Sequence, residues 1–181
     1  AVYIYVRNGS QWELQQRVAG PAGLGSFGVA LDLSGEMIAV GGRAASGNGI
    51  VRIYERTGTT WAFHSAVQGQ QPAAGARADD FGRSVDLDGT RLIVGAPSFQ
   101  TAPADDVTGA AFVFDRSGTS WTMSRLTTGS QVQNGAAFGS TVSVDGDVAC
   151  VCLSGGFGDL TAVGNSTRGG VAFYRRVNAV W

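Results

Sequence analysis

FGRSVDLDGTRLIVGAP, residues 81–97, is the stretch that decides the fold. Phe81-Gly82 opens it, Asp88-Gly89 supplies a turn dipeptide, and the apolar run Leu92–Val94 follows. The same order recurs in FGVALDLSGEMIAVGG (27–42) and FGSTVSVDGDVACVCLS (138–154). Ser34-Gly35 and Asp145-Gly146 take the place of the turn, and Met37–Val40 and Val148–Leu153 that of the second apolar run. Phe27, Phe81 and Phe138 each stand 14 residues before Gly41, Gly95 and Cys152. A register kept three times marks a structural repeat. Each copy reads as a strand starting at the Phe, a tight turn and a second strand.

Between these copies lies a second recurring unit: VYIYVRNGSQW (2–12), VRIYERTGTTW (51–61), AFVFDRSGTSW (111–121) and VAFYRRVNAVW (171–181). Trp follows Arg by five residues at Arg7/Trp12, Arg56/Trp61, Arg116/Trp121 and Arg176/Trp181, and the Arg-to-Arg steps are 49, 60 and 60 residues. Gly9, Gly58 and Gly118 share one turn position, which Asn178 takes in the fourth copy; Gly and Asn are the residues that best tolerate positive φ. Both faces of the first strand are apolar, as in a sheet covered on both sides. A full period therefore holds four short strands. The predicted fold is all-β: β-propeller blades of four antiparallel strands, about three and a half of them, rather than a solenoid of hairpins. The division is an outer hairpin at 1–18 and blades at 27–67, 81–126 and 138–181.

The bulk numbers agree. The chain has 181 residues, 44% of them hydrophobic, with 28 Gly and only 4 Pro, which is what many tight turns between short strands require. All 13 basic residues are Arg, and the net charge of −1 gives no basic patch for nucleic acid or an anionic membrane surface. No apolar stretch approaches the roughly 20 residues of a membrane span. Cys150 and Cys152 lie two apart on one strand face, a poor geometry for bridging each other.

The phrase FG…GAP, with Phe81-Gly82 and Gly95-Ala96-Pro97, resembles the FG-GAP repeat, as does the continuation GAAFVFDRSGTSW (109–121). The second half-motif has drifted to Gly41-Gly42-Arg43 in the first copy and Cys152-Leu153-Ser154 in the third. The same repeat builds the propeller heads of integrin α subunits. The resemblance implies an extracellular or cell-surface, non-catalytic module for structure, adhesion or assembly. Its partners would be proteins, or further blades of the same or a neighbouring chain. Both ends fall inside repeats, so the expectation is a processed form or a segment of something longer.

Integrin-like repeats hold calcium in an acidic loop between the half-motifs. Calcium wants about six to eight oxygen ligands. The turns here offer Asp86 with Asp88 and Asp145 with Asp147, and in the first copy Asp32 and Glu36; the first four are the weak candidate ligands, and no cofactor is expected. A carbohydrate- or calcium-dependent binding module is the alternative reading. His64 falls at a position also held by Gln15 and Ser124, which places it on a polar outer face rather than in a catalytic set. No G-x-S-x-G, H-E-x-x-H or P-loop occurs. The repeated Trp residues are expected to pack over the hairpins, against the repeated Arg, rather than stack on sugars. Asn8 and Asn165 head N-x-[ST] sequons, as weak glycosylation candidates. The loops 43–48, 98–108 and 155–168 are unequal insertions at one structural position, which in repeat folds gather on the binding face. Phe99, Asp105, Asp106, Phe157, Asp159 and Arg168 are the candidate ligand-binding residues of that rim.

Overall fold

The computed structural model describes residues 1–43, 48–70, 78–100, 108–126, 135–155 and 169–181. Among these every regular element is a strand. The first hairpin pairs β1 (Val2–Asn8) with β2 (Gln11–Val18). Blade 1 is the antiparallel sheet β3 (Leu31–Ser34), β4 (Met37–Gly42), β5 (Ile50–Thr57) and β6 (Thr60–Val67), in that order. Blade 2 repeats it with β7 (Ser84–Asp88), β8 (Arg91–Ala96), β9 (Ala110–Ser117) and β10 (Ser120–Leu126). Blade 3 has β11 (Val142–Asp145), β12 (Val148–Leu153) and β13 (Gly170–Arg175), followed by a turn closed by the Val177–Val180 bridge. Four-stranded antiparallel meanders repeated side by side are propeller blades. Adjacent blades approach along β3, β7 and β11 and spread apart toward the outer strands, as a fan of blades must.

Strand alternation assigns the two faces of every blade. In blade 1, Met37, Ala39, Val51 and Ile53 point toward blade 2 and meet Leu92, Val94, Phe112 and Phe114. Ile38, Val40 and Tyr54 point the other way, onto Val2, Ile4 and Val18 of the first hairpin. In blade 2, Ile93, Ala111 and Val113 point toward Ala149, Val151 and Val144 of blade 3. Strands apolar on both faces therefore have a neighbour on both sides. Each fully buried Val, Ile or Phe contributes about 1.5–3 kcal/mol, so the blades hold one another more than any holds itself.

The Phe of each FG pair precedes its strand by three or four residues instead of opening it. It packs edge-on against the aromatic two residues before the repeated Arg. Phe27 meets Tyr54 at 6.3 Å, Phe81 meets Phe114 at 6.0 Å and Phe138 meets Tyr174 at 6.3 Å between ring centroids. Burial pushes the Tyr174 phenol above its ordinary pKa. The Gly of the pair takes φ of +90°, +85° and +89° at Gly28, Gly82 and Gly139, a region open to Gly at no cost. Its N–H then donates back to the carbonyl 13 residues on, at Gly41 (2.9 Å), Gly95 (3.1 Å) and Cys152 (3.0 Å). The spacing between the two half-motifs is the span of that bond.

Candidate functional site

The side chains with chemistry in them collect at the seams between blades. Asp32 and Asp86 project from the inner strands β3 and β7 toward the following blade. Asp32 Oδ2 accepts the Leu87 N–H at 2.7 Å, and Asp86 Oδ2 accepts the Val144 N–H at 2.5 Å. Two residues on, Ser34 Oγ accepts the Gly89 N–H at 3.1 Å and Asp88 Oδ2 accepts the Gly146 N–H at 2.7 Å. The innermost strand of a blade has no strand beyond it, so its outward N–H groups need acceptors. The preceding blade provides them. Burial raises the pKa of Asp86, the Val144 N–H pulls it back, and the neighbouring Asp32 charge raises it further.

Asp86 and Asp88 each accept one backbone N–H of blade 3, a hydrogen bond strengthened by the carboxylate charge. Asp147 faces back toward blade 2, with Arg91 Nη1 at 3.3 Å and Arg176 Nη1 at 3.9 Å. Asp145 is exposed at the far side of blade 3. The four carboxylates do not converge, and no group of three or more metal-ligating side chains occurs among the described residues.

The repeated Arg works across the same seams on the outer side. Arg116 Nη2 lies 3.4 Å from Glu55 Oε2 of blade 1, and Arg176 Nη2 lies 3.4 Å from Asp115 Oδ2 of blade 2. The acid one residue before Arg56 and the one before Arg116 thus receive the Arg of the next blade. Arg56 has Val6 in that place and pairs within its own blade with Glu36, whose pKa the Arg56 hydrogen bond lowers. The Trp side chains add a second grip. Trp61 Nε1–H donates to Gln15 at 3.0 Å and Trp121 Nε1–H to Ser65 at 3.1 Å, each on the preceding outer strand. Arg56 also sits 5.5 Å from the Trp61 ring, while Trp181 has Arg91 at 5.1 Å rather than its own Arg176. Trp12 stays 68% exposed.

His64 is half-buried in this seam and not on the solvent-facing side of its strand, as its place in the sequence had implied. A β-bulge between Ile53 and Tyr54 leaves it unpaired on β6 and turns it inward. Its Nδ1 is 2.9 Å from Ser65 Oγ, and its Nε2 is 3.1 Å from Arg116 Nη2 and 3.5 Å from Glu55 Oε2. The lone His is a link in a chain that runs from Trp121 through Ser65 and His64 to Arg116 and Glu55.

On the rim, Phe99 is 3% exposed and packs at 5.7 Å against Phe112. It is a core residue: its N–H bonds Ala96 and its carbonyl takes the Gly109 N–H, folding the ring inward. Asp105, Asp106, Phe157, Asp159 and Arg168 lie outside the described residues, as does Asn165. Asn8 is exposed at the end of β1, with its amide on Glu13 at 2.9 Å. At the base of the rim Asp80 bridges Arg43 (2.8 Å) and Ser98 (2.6 Å), tying blades 1 and 2 together. Asp79, which as one of a pair of loop acids is expected to face water, is instead fully buried: Oδ1 accepts the Gly49 N–H at 3.2 Å and the Phe81 N–H at 3.1 Å. Its signal, an acid two residues before Phe81, has no counterpart at Gly25 or Ala136.

A comparison with curated proteins returned no match. A family model does match residues 72–114, a span that runs from ahead of Phe81 through β7 and β8 into β9. That span contains the buried Phe81, the Gly82–Gly95 bond and the two seam carboxylates Asp86 and Asp88, so the segment that builds the heart of blade 2 is the one that matches the FG-GAP repeat.

Proposed function

We propose that this chain is a non-catalytic structural and protein-binding module of the cell surface or extracellular space, whose propeller blades serve adhesion or assembly. One observation carries the reading. The side chains that could have made chemistry, His64, Asp86, Asp88, Asp147, Arg116, Arg176, Trp61 and Trp121, are engaged in joining one unit to the next. Blades built this way make a stiff scaffold that presents its loops, and loops on a rigid scaffold are where binding specificity resides. The occurrence of FG-GAP repeats in surface proteins supports the location.

The test is direct binding. The purified chain is passed over immobilised extracellular-matrix proteins and a glycan array, with and without EDTA. Saturable binding to a protein ligand, unchanged by EDTA, is the expected result. Glycan binding abolished by EDTA would instead favour the carbohydrate- or calcium-dependent reading. Turnover of any substrate that is lost in His64→Ala would overturn the non-catalytic assignment.

A further inference from the structure

The outward face of blade 3 is a small lattice of side chains in strict register. Asp145, Val148 and Arg175 form one row across β11, β12 and β13. Ser143, Cys150 and Phe173 form the next, and Cys152 with Val171 the third. These positions are exposed or half-exposed, while the alternating Val142, Val144, Ala149 and Val151 are buried against blade 2. Val171 and Phe173 are the equivalents of Val51 and Ile53, both 0% exposed beneath blade 2, yet Phe173 is 73% exposed. This face is a third copy of a surface that elsewhere is covered twice.

Two substitutions decide what can cover it. Gly41 and Gly95 lie so close to the next blade that an added Cβ would stand 2.1 Å and 2.0 Å from the carbonyl oxygens of Gly82 and Gly139. The equivalent residue in blade 3 is Cys152, whose Cβ fills the space a further FG loop would need. Glu55 and Asp115, the acids that receive the next blade's Arg, are replaced by Arg175. A further blade of this repeat would set its Arg against Arg175. So would the first hairpin of another copy, through Arg7. Like charges held together at an interface oppose its formation.

The face is, however, its own complement. About a two-fold axis parallel to β12 and midway between two such sheets, each row faces itself with its order reversed. Asp145 of each copy then lies opposite Arg175 of the other, Val148 lies opposite Val148, and Phe173 covers the Ser143 side of the facing sheet. We propose that blade 3 is a dimerisation surface, closed by a second copy of this chain in an isologous face-to-face pair. It explains the acid-to-Arg exchange and the loss of the Gly at one stroke: both remove the fit to a blade, and the first creates a reciprocal ion pair.

Sedimentation equilibrium on the intact chain tests this. The wild type is expected to be a concentration-dependent dimer. Arg175→Glu and Asp145→Arg, both at exposed positions that leave the fold intact by circular dichroism, should each raise the dissociation constant by about tenfold or more. An equimolar mixture of the two variants should associate again, because each then supplies the charges the other lacks. Phe173→Ser should weaken the dimer as well. Three results would overturn the proposal: a wild type that is monomeric throughout, association unchanged by Arg175→Glu and Phe173→Ser, or tighter association of Arg175→Glu. The last would mean head-to-tail packing onto Arg7.

Discussion

Asp79 carries the sharpest single-residue consequence. Burial raises its pKa above the ordinary carboxylate value, the Phe81 and Gly49 N–H groups pull it down, and Asp80 adds a smaller upward push. Its Oδ2 is buried with no hydrogen-bond partner. A carboxyl whose pKa is raised on folding contributes most at low pH, and that contribution is lost as pH rises through the folded value. Urea unfolding at a series of pH values should therefore show wild type losing stability relative to Asp79→Asn from about pH 4 upward. Parallel curves would exclude the effect. Asp79→Ala strands two buried N–H groups and should cost about 1–3 kcal/mol. At Gly95 the constraint is steric, since the Gly139 carbonyl occupies the place of a Cβ. Gly95→Ala should destabilise by about 1–3 kcal/mol or more, although the residue sits in an ordinary strand. The sequence shows Gly95 only as a letter of a motif. It cannot show that the reason is a backbone 44 residues later.

At the scale of elements, the strands and turns were legible and the seams were not. The 14-residue register and the Arg-to-Trp spacing foretold every hairpin, because strand pairing is local and leaves a period in the chain. The inner-strand seam bonds join residues 55 to 58 positions apart, as in Asp32 to Leu87 and Asp86 to Val144. No local pattern reports that distance. An acid beside a turn reads the same whether it will meet water, a cation or a backbone N–H. His64 was misplaced for a similar reason: the bulge that turns it inward has no residue signature at Ile53-Tyr54. The outer seam makes a measurable claim. A double-mutant cycle between Glu55→Gln and Arg116→Gln should give a coupling of about 1 kcal/mol or less, since Glu55 is 39% exposed, and it should shrink in high salt. A coupling of zero at low salt would remove Arg116–Glu55 from the seam.

For the whole molecule, stability is a sum over neighbours. The first hairpin, blade 1, blade 2 and blade 3 each cover one face of the next, and three separate apolar clusters fill the three gaps. A substitution at one seam should therefore loosen that seam and leave the others. Gly95→Val is expected to split thermal unfolding into two steps, with blade 3 lost first; a single cooperative transition at lower temperature would contradict the neighbour-by-neighbour view. The most direct measurement of that view is amide hydrogen exchange at Leu87 and Val144, which lie on innermost strands and depend on the preceding blade for an acceptor. Both amides should exchange as slowly as those inside β8 and β12, with Leu87 speeding up only in Asp32→Ala and Val144 only in Asp86→Ala. If instead they exchange as fast as the open turns at Gly9 and Gly58 in the unaltered protein, the blades are not clasped through these carboxylates.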